Sequence, residues 1–169
     1  MVEMREMKVF NKATKRVGFV SRFDKRHGLV MDYEVEGAEW HENVLPSDVI
    51  FLTDARIVDH AGKGLFEYDY IRQYLHGDIS SYFYVLRFGP YYYRDERHIG
   101  FYLERVAYIE KDKEVLFSKK ERESFPVGVL FGNFNNSFYV VGNLLQDPSR
   151  FKAVDDESIP EREVERFTI

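Results

Sequence analysis

The chain contains no cysteine, a single tryptophan and only five prolines in its 169 residues. Without cysteine there is no disulfide framework, no thiol nucleophile and no cysteine-based zinc site. No apolar stretch reaches the roughly 18 residues that span a bilayer, and Met1-Val2-Glu3-Met4-Arg5-Glu6 lacks the apolar core of a signal peptide. The reading is of a cytoplasmic protein with no membrane partner. Also missing are a Gly-x-Ser-x-Gly elbow, a Walker A loop and a Gly-x-Gly-x-x-Gly turn. The histidines, His27, His41, His60, His76 and His98, are scattered, and none shows His-x-His or His-Glu-x-x-His spacing. No metal, cofactor or catalytic residue is therefore expected, and the chain reads as a binder, not an enzyme.

What is abundant is aromatic. There are 15 Phe and 12 Tyr, and aromatics make up 17% of the chain, a composition that favours pleated, half-buried β surfaces. Hydrophobic residues at 44% and charged residues at 31% are proportions of a packed globular domain, not a disordered one. The formal net charge of −5 argues against a dedicated duplex binder, which draws its affinity from neutralising phosphates. The charge is unevenly spread. Arg5, Lys8, Lys12, Lys15, Arg16, Arg22, Lys25 and Arg26 face only Glu6 and Asp24 in sequence, whereas 155–165 is dominated by Asp155, Asp156, Glu157, Glu161, Glu163 and Glu165.

Hydrophobic patterning predicts eight to ten short strands. A basic hairpin runs from Met7–Phe10 through the Asn11–Lys15 turn into Val17–Phe23, and Leu29–Val35 follows as a third strand. Gly37–Asp48 reads as a loop and 37–56 as a candidate insertion. Tyr68–Tyr74 reads as a strand. Ser81–Phe88 reads as a strand buried on both faces and stopped by Gly89-Pro90, and Ile99–Glu110 as a long strand. Val127–Phe131 and Phe138–Val141 flank an Asn-rich turn and predict a hairpin. Asp147–Arg150 starts a helical turn, and Ser158 with Glu161 has capping-box spacing ahead of a short helix over about 159–167. The sum is a mainly β domain over 1–152, a small barrel or sandwich of short antiparallel strands, with an acidic segment and short C-terminal helix over 153–169.

Three stretches align with one family. Met7-Lys8-Val9-Phe10-Asn11-Lys12-Ala13-Thr14-Lys15-Arg16-Val17 resembles the opening hairpin of YopX-type phage proteins, with Phe10 and Asn11 where that family commonly has Trp and Asp. Gly62-Lys63-Gly64-Leu65-Phe66-Glu67-Tyr68-Asp69-Tyr70-Ile71-Arg72 resembles its central motif, and Val140 through Pro148 its closing segment. The resemblance spans roughly residues 5–152. Tyr68 departs from it, standing where the family usually has Gly; a positive φ there would be costly for tyrosine. The resemblance implies a β-rich protein encoded by a phage or prophage, with no established reaction and so no catalytic residues to carry over.

Glu67, Asp69, Arg72, Gly142 and Asn143 read as a structural motif. Glu67 and Asp69 are expected on one strand face opposite Tyr68 and Tyr70, with Asn143 bonding the backbone at a bulge. Tyr91-Tyr92-Tyr93-Arg94 reads as a partner-binding patch, because Tyr and Arg are enriched at interface hot spots. The expected activity is that of a phage accessory protein binding a host or phage protein, for example to inhibit defence or regulation. The alternative is a nucleic-acid-binding barrel using Lys12, Lys15, Arg16, Arg22, Lys25 and Arg26 together with Tyr91–Arg94. Long aromatic strands must have their edges covered, and a homo-oligomer is one way to do so.

Overall fold

A computed structural model describes residues 7–24, 28–75, 81–131 and 136–152. The chain is mainly β, and every strand pairing is antiparallel. In chain order the strands are β1 (Lys8–Asn11), β2 (Arg16–Asp24), β3 (Gly28–Val35), β4 (Ala38–Val44), β5 (Val49–Phe51), β6 (Asp54–Val58), β7 (Gly64–Phe66), β8 (Asp69–Leu75), β9 (Ser81–Tyr93), β10 (Glu96–Glu110), β11 (Lys113–Leu116), β12 (Ser124–Pro126) and β13 (Asn136–Asn143). A 3-10 turn spans Pro46–Asp48, and one short helix, α1, spans Val127–Phe131.

The first sheet has the order β4-β3-β2-β1-β5. The second has the order β11-β10-β9-β8-β13, with β12 also on β10, and β6 and β7 form a ribbon of their own. Alternation divides the side chains of each sheet between two cores. Phe10, Ile50 and Leu52 of the first sheet and its exit meet Phe66, Tyr70, Phe83, Val85, Ala107 and Phe151 between the sheets. On the opposite face of the second sheet Ile71, Tyr84, Leu86, Leu103 and Phe138 pack with Val127 of α1. On the opposite face of the first sheet Val9, Val20, Leu29, Met31, Val44 and Val49 pack together.

Several expectations are corrected. Ala38–Val44 is an edge strand, not a loop; nearly all its side chains are exposed, so it lacks the alternation that marks a half-buried strand. The 37–56 stretch supplies β4, β5 and the start of β6. Val127–Phe131 is helical, and β13 pairs with β8 instead of forming a hairpin with it; a five-residue apolar run has no period long enough to separate helix from strand. Gly89-Pro90 does not stop β9, which continues to Tyr93. Beyond Val85 the ladder to β8 has ended and β10 alone pairs with β9, and proline is tolerated on such an edge. Residues 147–150 form turns, with the Arg150 amide donating to the Asp147 carbonyl. The expected helix over 159–167 lies outside the described residues.

Candidate interaction surface

Glu67 and Tyr68 form the turn between β7 and β8, so Glu67 and Asp69 do not share a strand face as expected. Both are buried, and Asp69 is fully so. Asp69 accepts from Lys8 Nζ at 2.8 Å and Asn143 Nδ2 at 2.9 Å through Oδ1, and from the Phe66 amide at 2.8 Å through Oδ2. Asn143 also donates to the Glu67 carbonyl, and its Oδ1 accepts from the Leu145 amide. Lys8 Nζ lies against the rings of Phe19 and Phe66. These groups join β1, the β7–β8 turn and the end of β13, so the two sheets meet around one ion pair. Gly142 follows a bulge at Val141, and a Cβ on it would collide with the Tyr70 hydroxyl; glycine is there because the ring is. Tyr68 has φ +70, a left-handed backbone that costs a side-chain-bearing residue energy.

Arg72 stands apart from this group, donating to Ser81 Oγ and lying over Tyr74 and Phe83. Asp59 is a second buried anchor. It accepts from the amides of Ala61 and Lys63 in its own turn and from Val140 in β13. A cleft of about 570 Å³ between the first sheet and β13 has Lys8, Phe19, Tyr33 and Asn143 in its walls, but the Lys8 ammonium and the Asn143 amide are already committed to Asp69.

The basic residues of the first hairpin do not form one stripe. The Arg16 guanidinium stacks on Tyr33 and donates to its hydroxyl, Lys15 lies over Phe10, and Arg22 sits past the Ser21 bulge in β2. Lys25 and Arg26 lie outside the described residues. On β3 and β4, Asp32, Glu39 and His41 bring one ligand atom each within 4.8 Å of one another. The hydrogen bond from His41 Nδ1 to Asp32, followed by that carboxylate's charge, raises the imidazole pKa. His60 accepts from the Phe138 amide and His98 stacks on Tyr91; His27 and His76 lie outside the described residues.

Tyr91–Arg94 lies at the tip of the β9–β10 ribbon. Phe88, Pro90 and Tyr92 pair with Phe101, Ile99 and Arg97, and Gly89, Tyr91 and Tyr93 pair with Gly100, His98 and Glu96. Cross-strand partners share a face, so these two sets line opposite sides. Arg94 and Asp95 close the tip, both with positive φ, as a two-residue type I′ turn requires.

The ribbon is bent. Gly89 and Gly100 oppose each other with φ of +147 and +150, a region nearly closed to other residues. The Tyr93–Glu96 pair is seven residues along β10 from Leu103, the partner of Phe125. In a straight strand that is about 23 Å at roughly 3.3 Å per residue, yet the Tyr93 and Phe125 rings are 6.1 Å apart. The tip therefore folds back over β12. Inside the bend Tyr91 stacks on Tyr102 at 4.7 Å and on His98 at 5.3 Å. Outside it, Phe88, Tyr92 and Ile99 are 53%, 68% and 71% exposed.

The four-residue patch is thus divided: Tyr91 is buried, Tyr92 faces out, Tyr93 ends β9 and Arg94 stands in the turn over its ring. Phe88, Ile99, Phe101, Tyr102 and Phe125 complete both sides of it and were not singled out from the sequence; the spacing of Gly89 and Gly100 from the Arg94-Asp95 turn was the signal that could have found them. No family model, no curated protein and no solved structure matches this chain. Among the described residues no helix is long and apolar enough to cross a membrane.

Proposed function

We propose that this protein acts by binding another protein through the bent β9–β10 ribbon. The observation that carries the reading is the outward face, where Phe88, Tyr92 and Ile99 expose more than half of their surface beside Pro90 and Phe101. Soluble domains seldom expose adjoining large apolar side chains on a rigid element unless something covers them, and tyrosine beside arginine is the composition of interface anchors. The buried carboxylates support a binder over an enzyme, because Asp69 and Asp59 hold the fold through their hydrogen bonds. The resemblance to YopX-type proteins supports a phage or prophage accessory role in the cytoplasm of the bacterial host, such as occlusion of a defence or regulatory factor.

The nucleic-acid reading has weaker support, since Arg16 is committed to Tyr33 and acidic side chains interleave with the ribbon's arginines. The two separate in one experiment. Tagged protein is purified from host cells with and without nuclease, beside an Ile99→Glu variant. A stoichiometric protein that survives nuclease and is lost from the variant is the expected result. Recovery only of nucleic acid, or of a partner indifferent to Ile99→Glu, would overturn it.

A further inference from the structure

We infer that His60 is a pH-sensitive latch: while neutral it keeps the outer edge of β13 covered, and on taking up a proton it uncovers that edge. The device lies away from the β9–β10 ribbon and does not depend on it.

Among the described residues β13 ends the second sheet and pairs with β8 on one side only, so a row of its backbone groups faces away from the sheet. An edge of this kind is a template for another strand unless something covers it. Here the turn after β6 covers it. The Phe138 amide donates to His60 Nδ1 at 2.9 Å, the Phe138 carbonyl accepts from the His60 amide at 3.0 Å, and the Val140 amide donates to Asp59 Oδ2 at 2.8 Å. Two residues thus stand in for a neighbouring strand. The turn is braced from within, since Asp59 Oδ1 accepts from the Ala61 and Lys63 amides and the Asp59 amide donates to the Lys63 carbonyl.

The two anchors differ in chemistry. A charged carboxylate accepts through either oxygen, whereas an imidazole nitrogen accepts only while it carries no proton. Histidine is also the side chain whose charge ordinarily changes between about pH 5 and pH 8. With Nδ1 accepting, the one proton of the neutral ring sits on Nε2. A second proton has to go on Nδ1, where it meets the Phe138 N–H donor to donor. The Phe138 carbonyl lies 3.3 Å from Nδ1, but a bond to it still leaves the Phe138 N–H without an acceptor. Phe138 is fully buried, and a buried amide left unpaired is costly. Proton uptake and a closed edge therefore compete.

Few charged or titratable groups face the ring. Its own turn supplies Asp59 and Lys63. From β13 come the Phe138 and Tyr139 rings, 6.1 Å and 6.2 Å away, and behind Tyr139 stand Arg72 and Tyr74 of β8. The flanking ends of β6 and β7 bring only Val58 and Gly64. Asp59 favours the imidazolium and the two cations oppose it, while the Asp59 hydrogen bonds are indifferent to the proton on His60. The Phe138 contact should accordingly open before the Val140 contact.

The test uses the full-length, isotope-labelled protein. Histidine ring nitrogen correlations at about pH 7.5 should show His60 protonated on Nε2 alone; a proton on Nδ1 at that pH overturns the inference without any variant. Amide exchange, corrected for its intrinsic rate, is then compared at about pH 7.5 and pH 5, either side of the ordinary histidine range. Protection of Phe138 should fall roughly tenfold or more at the lower pH, the equivalent of one ordinary hydrogen bond, while Val85, buried at the centre of the same sheet, keeps its protection. His60→Asn offers a side-chain oxygen that accepts without titrating and should hold Phe138 protected at both values. His60→Ala should leave it unprotected at both. Equal protection of Phe138 in the wild type at the two values overturns the inference. So does the same fall in His60→Asn, or a fall shared equally by Val85, which is unfolding of the whole sheet.

Discussion

Lys8, Asp69 and Asn143 sit where two sheets meet; Tyr91, Tyr102 and Phe125 sit where one sheet bends back over itself. In the first place each Asp69 oxygen has a donor and Asn143 uses both its amide hydrogens and its oxygen. In the second the Tyr91 hydroxyl makes no hydrogen bond among the described residues and large apolar side chains face outward. The contrast separates residues that define the fold from residues that await something else. It also reverses the weight the stretches carry: Glu67–Asp69 is internal structure, and the ribbon around Tyr92 holds the exposed aromatic surface.

The hub should break hardest. Asp69→Ala leaves the Lys8 ammonium, 92% buried by its side chain, with no counter-charge, and strips two further donors of their acceptor. Removing one member of a buried ion pair costs about 3–5 kcal/mol, and urea denaturation at neutral pH should show it; a loss below about 1 kcal/mol would mean the sheets are held by the apolar core alone. Next in size is an alkaline effect at Tyr84, whose hydroxyl, unlike that of Tyr91, has a partner in Gln73. Burial pushes its phenol from 10.0 up to about 12. A group whose folded pKa is raised contributes fully below its unfolded value and loses that contribution as pH climbs through the folded one. Stability should therefore fall by roughly 2–3 kcal/mol between about pH 10 and pH 12, and Tyr84→Phe should flatten that fall.

Tyr68 shows how far a sequence can be read. Its φ is +70; what the chain alone does not disclose is that the ring is 4% exposed in the core between the sheets. Left-handed backbone costs about 1–2 kcal/mol, and losing a buried aromatic side chain about 3–5 kcal/mol. Tyr68→Gly should thus lose on the order of 2 kcal/mol in chemical denaturation, and a net gain would show that the ring packs poorly. The β character, the first hairpin and the length of β10 are legible because alternation and turn residues act locally. The edge strand β4 is not, because exposure on both faces erases its pattern; α1 is not, because it is too short for a period. The bend is legible only indirectly. Gly89 and Gly100 become a pair only once register is known, and register depends on the Arg94-Asp95 turn midway between them.

The smallest stability effect belongs to the outer face, and its smallness is the point. Tyr92 and Ile99 are 68% and 71% exposed, so Tyr92→Ser with Ile99→Thr removes little that folding had buried. Such surface changes shift stability by less than about 0.5 kcal/mol. Partner capture should be lost all the same, because hot-spot side chains act only when a partner desolvates them. The same pair of changes also tests self-association. If a second copy already covers this face, the wild-type midpoint will rise with protein concentration, as linkage to assembly requires, and the double variant will lose that dependence together with its oligomeric mass in light scattering. A concentration-independent midpoint in both proteins leaves the face open in the free chain, as a surface kept for a different protein must be.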